Sequence, residues 1–257
     1  MSSVLFEIKD AVAYITLNRP DKFNSFNREM ALLMQDKLDA CKSDEVRCVY
    51  ITGSGKAFSA GQDISELVGD QKIEIKQILS EHYNPIVTRI RKLEKPVVVA
   101  VNGVAAGAGA NIALCGDVVV ASQSASFIQA FSKIGLIPDS GGTYFLPRLI
   151  GWQKASALSM LGDKVPATEA ERMGMLYKVF PDDTFAEESK KIAVTLASMP
   201  TKGLAYTKQL LNMSFHADYA EQLMEEDVFQ QRAALTEDYQ EGINAFLEKR
   251  QPVFKGK

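Results

Sequence analysis

The chain lacks the residues and spacings that mark several large classes of protein. Of its 257 residues, two are histidine, three are cysteine and one is tryptophan. Cys41, Cys48 and Cys115 show neither an even count nor metal-ligand spacing, so we expect reduced thiols in an intracellular protein. No His-Glu-x-x-His or Cys-x-x-Cys sequence occurs. The pattern therefore predicts neither a disulfide framework nor a bound metal.

Long apolar runs and strong charge of one sign are also missing. The longest apolar run, Pro96 to Val101, is far too short to cross a bilayer. The N-terminal residues contain no basic segment followed by an apolar one, as a secretory signal would. With 29 basic and 32 acidic residues, the net charge of -3 gives no overall attraction to nucleic acid. We therefore expect a cytoplasmic protein with no membrane or nucleic-acid partner.

Nucleotide-binding loops are absent as well. Gly107-Ala108-Gly109 opens like a dinucleotide fingerprint, but Ile112 occupies the position of its third glycine. No loop ends in Gly-Lys-Ser or Gly-Lys-Thr. We therefore expect no nucleotide cofactor.

The N-terminal half alternates strand-like and helix-like sequence. Two β-rich runs at Val4 to Ile8 and Val12 to Leu17 predict a hairpin. Asn27 then precedes apolar residues at helical spacing and predicts a capped helix. Further expected strands are Val46 to Thr52, Pro96 to Val101 and Val118 to Ala121. This rhythm predicts an α/β fold of stacked β-β-α units.

Two breaks are expected along the chain. The segment Asp70 to Lys92 has helical periodicity, and Pro85 predicts either a break or a fresh helix start within it. After Gly142 the sequence is helical, and only Leu176 to Phe180 is predicted to be extended. A composition change near Met199-Pro200 suggests a core domain over 1–199 and a helical region over 200–257. We expect that helical region to bury its apolar stripe against another subunit.

Three turns contain the candidate chemistry. Ile137 to Gly142 places the carboxylate of Asp139 on a tight turn before a helix. The turns Ser59-Ala60-Gly61 and Gly107-Ala108-Gly109 could each direct a backbone N–H at one ligand oxygen. One base and two donors suffice to remove a proton beside a carbonyl and stabilise the enolate. Asp139 could equally cap the following helix, and the small residues could serve close packing alone.

Short sequences along essentially the whole chain resemble the crotonase family, also called the enoyl-CoA hydratase/isomerase family. The matching segments are Leu17-Asn18-Arg19-Pro20, Lys56 to Asp63, Lys95-Pro96-Val97, Val101-Asn102-Gly103, Gly107-Ala108-Gly109, Cys115-Gly116-Asp117, Gly141-Gly142-Thr143 and Glu241 to Arg250. The resemblance implies a spiral of β-β-α turns with a helical C-terminal trimerisation region. It also implies homotrimers or pairs of trimers and a coenzyme A thioester as substrate.

The resemblance assigns roles to particular positions. It places the thioester oxygen between the amides of Ala60 and Ala108, where the family usually has glycine at the second position. It implies that CoA lies along Lys22, the Phe58 to Ile64 loop and the C-terminal helix. The residues expected to bind CoA are Lys22, Phe58, Ser59, Ala60, Gln62, Asp63, Ile64, Gly107, Phe246 and Lys249. For Phe246 and Lys249, a core phenylalanine and a solvated helix charge are equally good interpretations.

Departures from the family pattern indicate the reaction. Family hydratases activate water with two glutamates, whose positions here hold Asn111 and Phe131, so hydration is not expected. Asp139 matches the base of many family isomerases, and apolar neighbours such as Phe131 should raise its pKa.

A subgroup resemblance narrows the expected substrate. Tyr83-Asn84-Pro85, Asn102 to Ala110 and Ala130 to Asp139 are similar to the ring-epoxide isomerases of bacterial phenylacetate catabolism. Those enzymes convert 1,2-epoxyphenylacetyl-CoA to its oxepin form and move a 3-enoyl-CoA double bond to position 2. The alternatives are a general 3,2-enoyl-CoA isomerase of fatty-acid oxidation and a catalytically silent CoA- or RNA-binding family member.

Overall fold

The structure is a computed structural model that describes residues 2–69 and 72–257. The strands of the described chain are β1 Val4–Lys9, β2 Val12–Leu17, β3 Cys48–Gly53, β4 Ala57–Ser59, β5 Val97–Val101, β6 Val104–Ala106, β7 Val118–Ser122, β8 Ser126–Ile128, β9 Lys164–Pro166 and β10 Lys178–Phe180. The α-helices are α1 Arg28–Ala40, α2 Ile75–Gln77, α3 Asn84–Lys92, α4 Ala108–Leu114, α5 Gly142–Ile150, α6 Trp152–Leu161, α7 Ala167–Arg172, α8 Phe185–Ser198, α9 Thr201–Met213, α10 Tyr219–Ala234 and α11 Glu237–Leu247. A π-helical segment, Ile78–Tyr83, joins α2 to α3.

Successive β-β-α turns build two sheets side by side. The larger sheet has the order β1-β2-β3-β5-β7-β10, and the smaller has the order β4-β6-β8-β9. Strands β2, β3, β5 and β7 pair in parallel, as do β4, β6 and β8. The pairs β3-β4, β5-β6 and β7-β8 therefore each give their first strand to the larger sheet and their second to the smaller. The predicted spiral of β-β-α units is confirmed.

The predicted N-terminal elements form as the sequence indicates. Strands β1 and β2 pair antiparallel from Val4 to Lys9, so the hairpin is confirmed. The Asn27 side chain caps α1 by accepting from the Met30 amide at 3.0 Å. Helix α1 turns Met30 and Met34 into the core, where both are fully buried. The helical apolar spacing therefore marks the face that packs on the sheet.

The short strands of the smaller sheet were not predicted. No strand was expected at β4 or β6, and β9 contradicts the expectation that only Leu176 to Phe180 is extended after Gly142. Each has three residues. Three residues are too few to show an alternating pattern, and flanking glycines resemble turn sequence. Pairing with neighbouring strands, which local sequence does not encode, makes them extended.

Pro85 marks the fresh start of a helix rather than a break, which is one of the two outcomes expected of it. Helix α2, the π-helical segment and α3 follow one another without a gap, and Pro85 is the second residue of α3. The hydrogen-bond pattern changes from π to α at the point where the proline cannot donate. The predicted helical segment is confirmed from Ile75 onward, whereas its predicted first residue, Asp70, lies outside the described residues.

Helix α9 joins the C-terminal region to the core. The Lys208 side chain is buried, and its Nζ lies 2.7 Å from Asp117 Oδ2 and 2.8 Å from the Ile90 carbonyl oxygen. Farther along, α10, α11 and the tail expose large apolar side chains: Tyr219, Leu223, Met224, Val228, Leu235, Tyr239, Ile243, Phe246, Leu247 and Val253. The boundary near Met199 and the trimer remain predictions. No helix in the two described ranges has the length and apolar character needed to cross a membrane.

Candidate active site

A cavity of about 440 Å³ lies where the turns after β4 and β6 meet the loop before α5. Most of its wall is apolar, with side chains that include Ile64, Leu67, Ile78, Leu79 and Phe131. Its lining also includes Gln62, Gly107, Ala108 and Asp139. Three sequence-distant turns that were singled out for chemistry therefore meet at one place. A largely apolar pocket with a few convergent polar groups is the usual form of a small-molecule site.

Asp139 presents the carboxylate of this cavity. Ser140 and Gly141 follow it in left-handed conformation, at φ of 52° and 78°, and bend the chain sharply into α5. Ser140 Oγ donates to Asp139 Oδ1 at 2.8 Å. Burial raises the pKa of Asp139 to about 6, despite the opposing hydrogen bond from Ser140. Its carboxyl group can therefore both accept and return a proton near neutral pH.

The alternative role of Asp139 as a helix cap is not supported by the geometry. Gly141 occupies the position before α5, and no side chain caps that helix. The Asp139 main-chain oxygen accepts from the Gly142 amide at 2.8 Å, but its side chain bonds only to Ser140 among the described residues. The carboxylate is therefore left facing the cavity.

Asn111 and Phe131 surround the Asp139 loop. Asn111 Nδ2 donates to the Asp139 main-chain oxygen at 2.9 Å, and Gln129 Nε2 donates to Asn111 Oδ1 at 2.8 Å. Phe131 is buried, and its ring edge lies 3.8 Å from where a side chain on Gly107 would begin. The nitrogen and oxygen of the Asn111 side chain are thus both hydrogen-bonded to the protein, and Phe131 contributes only an apolar ring.

The two glycine-rich turns pack directly against each other. A Cβ atom on Gly61 would lie 2.8 Å from the Ala106 carbonyl oxygen and 3.3 Å from the Ala108 amide nitrogen. A Cβ on Gly109 would lie 2.6 Å from the Ser59 carbonyl oxygen. Close packing therefore does require small residues here. Ala108 is also the first residue of α4, so its amide has no acceptor within that helix.

The structure corrects the donor predicted in the first turn. The Ala60 amide donates to the Phe23 carbonyl oxygen at 2.9 Å, so it is already occupied. The next residues pair with Phe26, because Phe26 N donates to Gly61 O at 2.7 Å and Asp63 N donates to Phe26 O at 2.8 Å. In extended chain, successive amides point to opposite sides, so the Gln62 amide faces away from Phe26. It has no acceptor among the described residues and belongs to the cavity wall.

Two residues expected to contact CoA have buried side chains instead. Phe58 is fully buried in the main hydrophobic core. Ser59 is also fully buried, and its Oγ donates to the Asn24 main-chain oxygen at 2.8 Å. The prediction of ligand contact is therefore wrong for these two side chains. They hold the loop that presents Ala60 and Gln62 to the cavity.

The other loop residues have separate positions. Asp63 forms an ion pair with Arg19 at 2.8 Å and caps the short helix that begins at Ile64. Ile64 is half exposed and lines the cavity, and Lys22 is exposed next to Phe23, whose carbonyl oxygen accepts from the Ala60 amide. Lys22 and Ile64 are thus available to a ligand, while the Asp63 carboxylate is engaged by Arg19.

Phe246 and Lys249 lie at the end of α11 and do not line this cavity. The Phe246 side chain is 83% exposed, so it is not a core residue of the single chain. Lys249 has a φ of 55°, and the next residue, Arg250, forms hydrogen bonds of 2.6 and 2.9 Å to the two carboxylate oxygens of Glu241. That paired contact stabilises the turn that displays Lys249.

Tyr83 is a cavity residue whose contacts the sequence did not indicate. It is 1% exposed, and its hydroxyl donates to Gln62 Oε1 at 2.7 Å. Burial and the nearby Asp139 charge raise the pKa of Tyr83 well above its ordinary value. Helical periodicity marks Tyr83 as inward-facing, but only the fold brings it against Gln62.

Comparison with known proteins agrees with this geometry. The family model described as Enoyl-CoA hydratase/isomerase matches residues 7–257. The chain belongs to the enoyl-CoA hydratase/isomerase family. It is 43% identical to a 1,2-epoxyphenylacetyl-CoA isomerase of Escherichia coli strain K12, and the alignment covers 100% of both chains. It is 39% identical to a Rhodobacter capsulatus protein named Probable enoyl-CoA hydratase, over 99% of this chain and 98% of the relative.

A solved structure supports the same membership of the enoyl-CoA hydratase/isomerase family. The enoyl-CoA hydratase of Bacillus anthracis superposes with a TM-score of 0.92 at 31% identity, covering 99% of this chain and 100% of that chain. Fold and family are thus common to relatives with isomerase and hydratase names. Residues of the cavity, rather than the fold, must distinguish between these reactions.

Proposed function

We propose that this family member is an acyl-CoA isomerase in which Asp139 transfers the proton. The observation that carries the proposal is the cavity's chemistry: among its described lining residues, Asp139 alone has a carboxylate. Its pKa, raised to about 6 by burial, suits a group that must gain and lose a proton in one cycle. Apolar walls suit an acyl group better than a charged one.

The amides of Gln62 and Ala108 complete the proposed site. With the thioester oxygen between them, Asp139 would take a proton from C2 of a 3-enoyl thioester. The C2–H bond breaks, an O–H bond forms on Asp139, and the electron pair moves toward the thioester oxygen. Return of the same proton to C4 leaves the double bond at position 2, so all atoms balance. Preorganised donors at such an oxygen are each worth about 3–4 kcal/mol.

The proposed substrate is ring-1,2-epoxyphenylacetyl-CoA, converted to oxepin-CoA, alongside the 3-enoyl to 2-enoyl shift. Support comes from the name of the relative at 43% identity and from the subgroup resemblance around Tyr83 and Asp139. Epoxide and oxepin have the same atoms, so neither reaction requires water or a redox cofactor.

Water addition is not part of the proposal, although some relatives carry hydratase names. The family's two water-activating positions hold Asn111 and Phe131. The first has an amide that is already bonded to Asp139 and Gln129, and the second is a buried hydrocarbon ring. Neither can exchange a proton with water.

The CoA moiety is proposed to run from the cavity along Ile64 and Lys22, both of which are exposed. Phe246 and Lys249 would meet the nucleotide end from a neighbouring subunit of a homotrimer or pair of trimers. The exposure of Phe246 at the end of α11 supports a position at such a junction. A lysine there can pair with a phosphate.

One screen tests the proposal. The purified protein is incubated separately with the epoxide, an aliphatic 3-enoyl-CoA and crotonyl-CoA, and products are separated by chromatography. We expect turnover of the first two and only trace hydration of the third. Turnover of the aliphatic substrate alone would favour a general 3,2-enoyl-CoA isomerase. Robust hydration would contradict the roles given to Asn111 and Phe131.

A further inference from the structure

Tyr83, in the cavity wall, contacts the side chain of Gln62 and also Phe26, the residue that pairs with Gln62. Tyr83 Oη donates to Gln62 Oε1 at 2.7 Å. Its ring packs edge-to-face on Phe26, with centroids 6.0 Å apart at an interplanar angle of 80°. Phe26 is the residue that pairs with Gln62 across the parallel bridge. Tyr83 therefore touches the Gln62 segment at two points.

The rest of the Gln62 side chain is also held. Its Nε2 donates to Glu66 Oε2 at 2.9 Å, and Glu66 Oε1 accepts from the Arg28 amide at 2.8 Å. The side-chain carboxamide of Gln62 therefore accepts from Tyr83 and donates to Glu66, which is itself bonded to the start of α1. The Gln62 backbone N–H shares its peptide plane with the Gly61 carbonyl, which accepts from Phe26 N at 2.7 Å, so Tyr83 supports that peptide through both Gln62 and Phe26.

We propose that Tyr83 is a positioning residue that holds Gln62 so that its backbone amide points at the thioester oxygen. The proposal rests on the isomerase function given above and deepens it. Tyr83 acts through Gln62, and its contribution lies in orientation rather than in proton transfer.

Two features of Tyr83 suit this task. Its hydroxyl remains a donor at ordinary pH, because burial and the neighbouring carboxylates of Asp139, Glu66 and Asp63 raise its pKa. It is also the last residue of the π-helical segment Ile78–Tyr83. Such segments are frequently found at functional sites because they alter the direction in which a side chain leaves the helix.

The expected effect separates binding from turnover. Tyr83→Phe removes one oxygen and leaves the ring on Phe26, so CoA binding and KM should remain close to those of the parent. The Gln62 amide would lose its orientation, and kcat should fall by about 10- to 100-fold, since small misplacements at a reacting centre have effects of that size.

A spectroscopic probe reports on the amide directly. A cinnamoyl-CoA with an electron-donating para-dimethylamino group absorbs at longer wavelength when its thioester carbonyl is polarised. We expect a red shift on binding to the parent protein and a much smaller one on binding to Tyr83→Phe. The matched control is Tyr50→Phe, because Tyr50 is also buried but bonds to Ser189 on the other side of the larger sheet. Its red shift and kcat should equal those of the parent.

The same bond can be removed from its other end. Gln62→Met keeps the backbone amide but lacks the side-chain acceptor, so its kcat and its red shift should fall as they do in Tyr83→Phe. In the double variant, kcat and the red shift should fall no further than in either single variant. This arm decides the matter if Tyr83→Phe does not fold. If the variants keep the red shift and kcat of the parent, or if the losses of kcat in the single variants add in the double variant, the positioning role of Tyr83 is overturned while the proposed function stands. Absence of both isomerisation and a red shift in the parent would overturn the proposed function with it.

Discussion

The side-chain amide of Asn111 donates to the main-chain oxygen of Asp139 at 2.9 Å. The same side chain accepts from Gln129 at 2.8 Å, so it links the residue just after β8 to the loop before α5. A position that bears a catalytic acid in family hydratases thus serves here to hold the loop of a different acid. The Asn111 side chain therefore helps to fix the main chain at Asp139.

Replacing Asp139 should abolish turnover without abolishing binding. In Asp139→Ala we expect isomerisation to fall by about 10²–10⁴-fold, the usual contribution of a general acid–base group. The dissociation constant for a substrate analogue, measured by calorimetry, should change little because the amides and the CoA contacts remain. Asp163→Ala, which removes an exposed aspartate outside the cavity lining, is the matched control. Equal rates in Asp139→Ala and the parent would refute the assignment.

The rate should depend on pH through the same carboxyl group. The pKa of Asp139 is raised to about 6, and only its ionised form can take a proton from C2. We therefore expect kcat/KM to fall about tenfold per pH unit below 6 and to level off above it. The residual kcat/KM of Asp139→Ala should not fall in this way below pH 6. A flat profile for the parent between pH 5 and 8 would contradict the role.

Burial of Asp139 should also reduce the stability of the fold at neutral pH. Because the pKa rises from 3.8 to about 6, the folded state disfavours the ionised form, and the stability lost by ionisation reaches about 3 kcal/mol once pH exceeds 6. Asp139→Asn, which keeps an oxygen to accept from Ser140, should raise the free energy of unfolding. Urea unfolding should show that Asp139→Asn raises the free energy of unfolding more at pH 8 than at pH 5. An increase that is the same at both pH values would rule out ionisation of Asp139 as its cause.

Gly142 should not tolerate any side chain. A Cβ atom there would lie 2.2 Å from Asn111 Nδ2, and Asn111 is held on both sides by hydrogen bonds. We expect Gly142→Ala to lower the free energy of unfolding by about 2 kcal/mol or more and to reduce kcat as the Asp139 loop shifts. Gly203→Ala is the control, because in α9 the nearest atom to the added Cβ would be 3.8 Å away. It should be neutral or add about 0.5–1 kcal/mol.

Lys249 should affect binding of CoA but not the chemical step. If it pairs with a phosphate of a neighbouring subunit's ligand, Lys249→Ala should raise KM for the CoA thioester by about three- to tenfold and leave kcat unchanged. A pantetheine thioester lacks the nucleotide, so its KM should be the same for variant and parent. Lys190→Ala, an exposed lysine on α8, serves as control. A KM for the CoA thioester that does not change would place Lys249 outside the ligand site.

Local sequence was sufficient for the elements with strong patterns. The cap at Asn27 and the apolar strand β5 were predictable because each depends on a few neighbouring residues. Strands β4, β6 and β9 were not, since each has three residues and becomes extended only by pairing. Pro85 correctly indicated a fresh helix start, but the π-helical turn before it depends on hydrogen bonds that no single residue signals.

In the candidate active site, too, some features follow from local sequence and others depend on long-range pairing. Asp139 could be selected from its turn and its position in the family pattern. The choice of Ala60 over Gln62 could not be corrected from sequence, because it depends on which amides pair with Phe23 and Phe26. Two residues that are adjacent on an extended strand present their amides to opposite sides. Only the long-range pairing reveals which side faces the ligand.

The contact between Lys208 and Asp117 limits how the polypeptide can be dissected. Removing everything beyond Met199 would leave the Asp117 carboxylate, which is 18% exposed, with Arg91 at 3.4 Å as its remaining cationic neighbour. It would also uncover the Ile90 and Lys95 carbonyl oxygens that Lys208 now satisfies. A fragment ending there would lose the buried cation that neutralises Asp117 and the donor that these two carbonyl oxygens now have. The residues after Met199 consequently stabilise the fold of the residues before it.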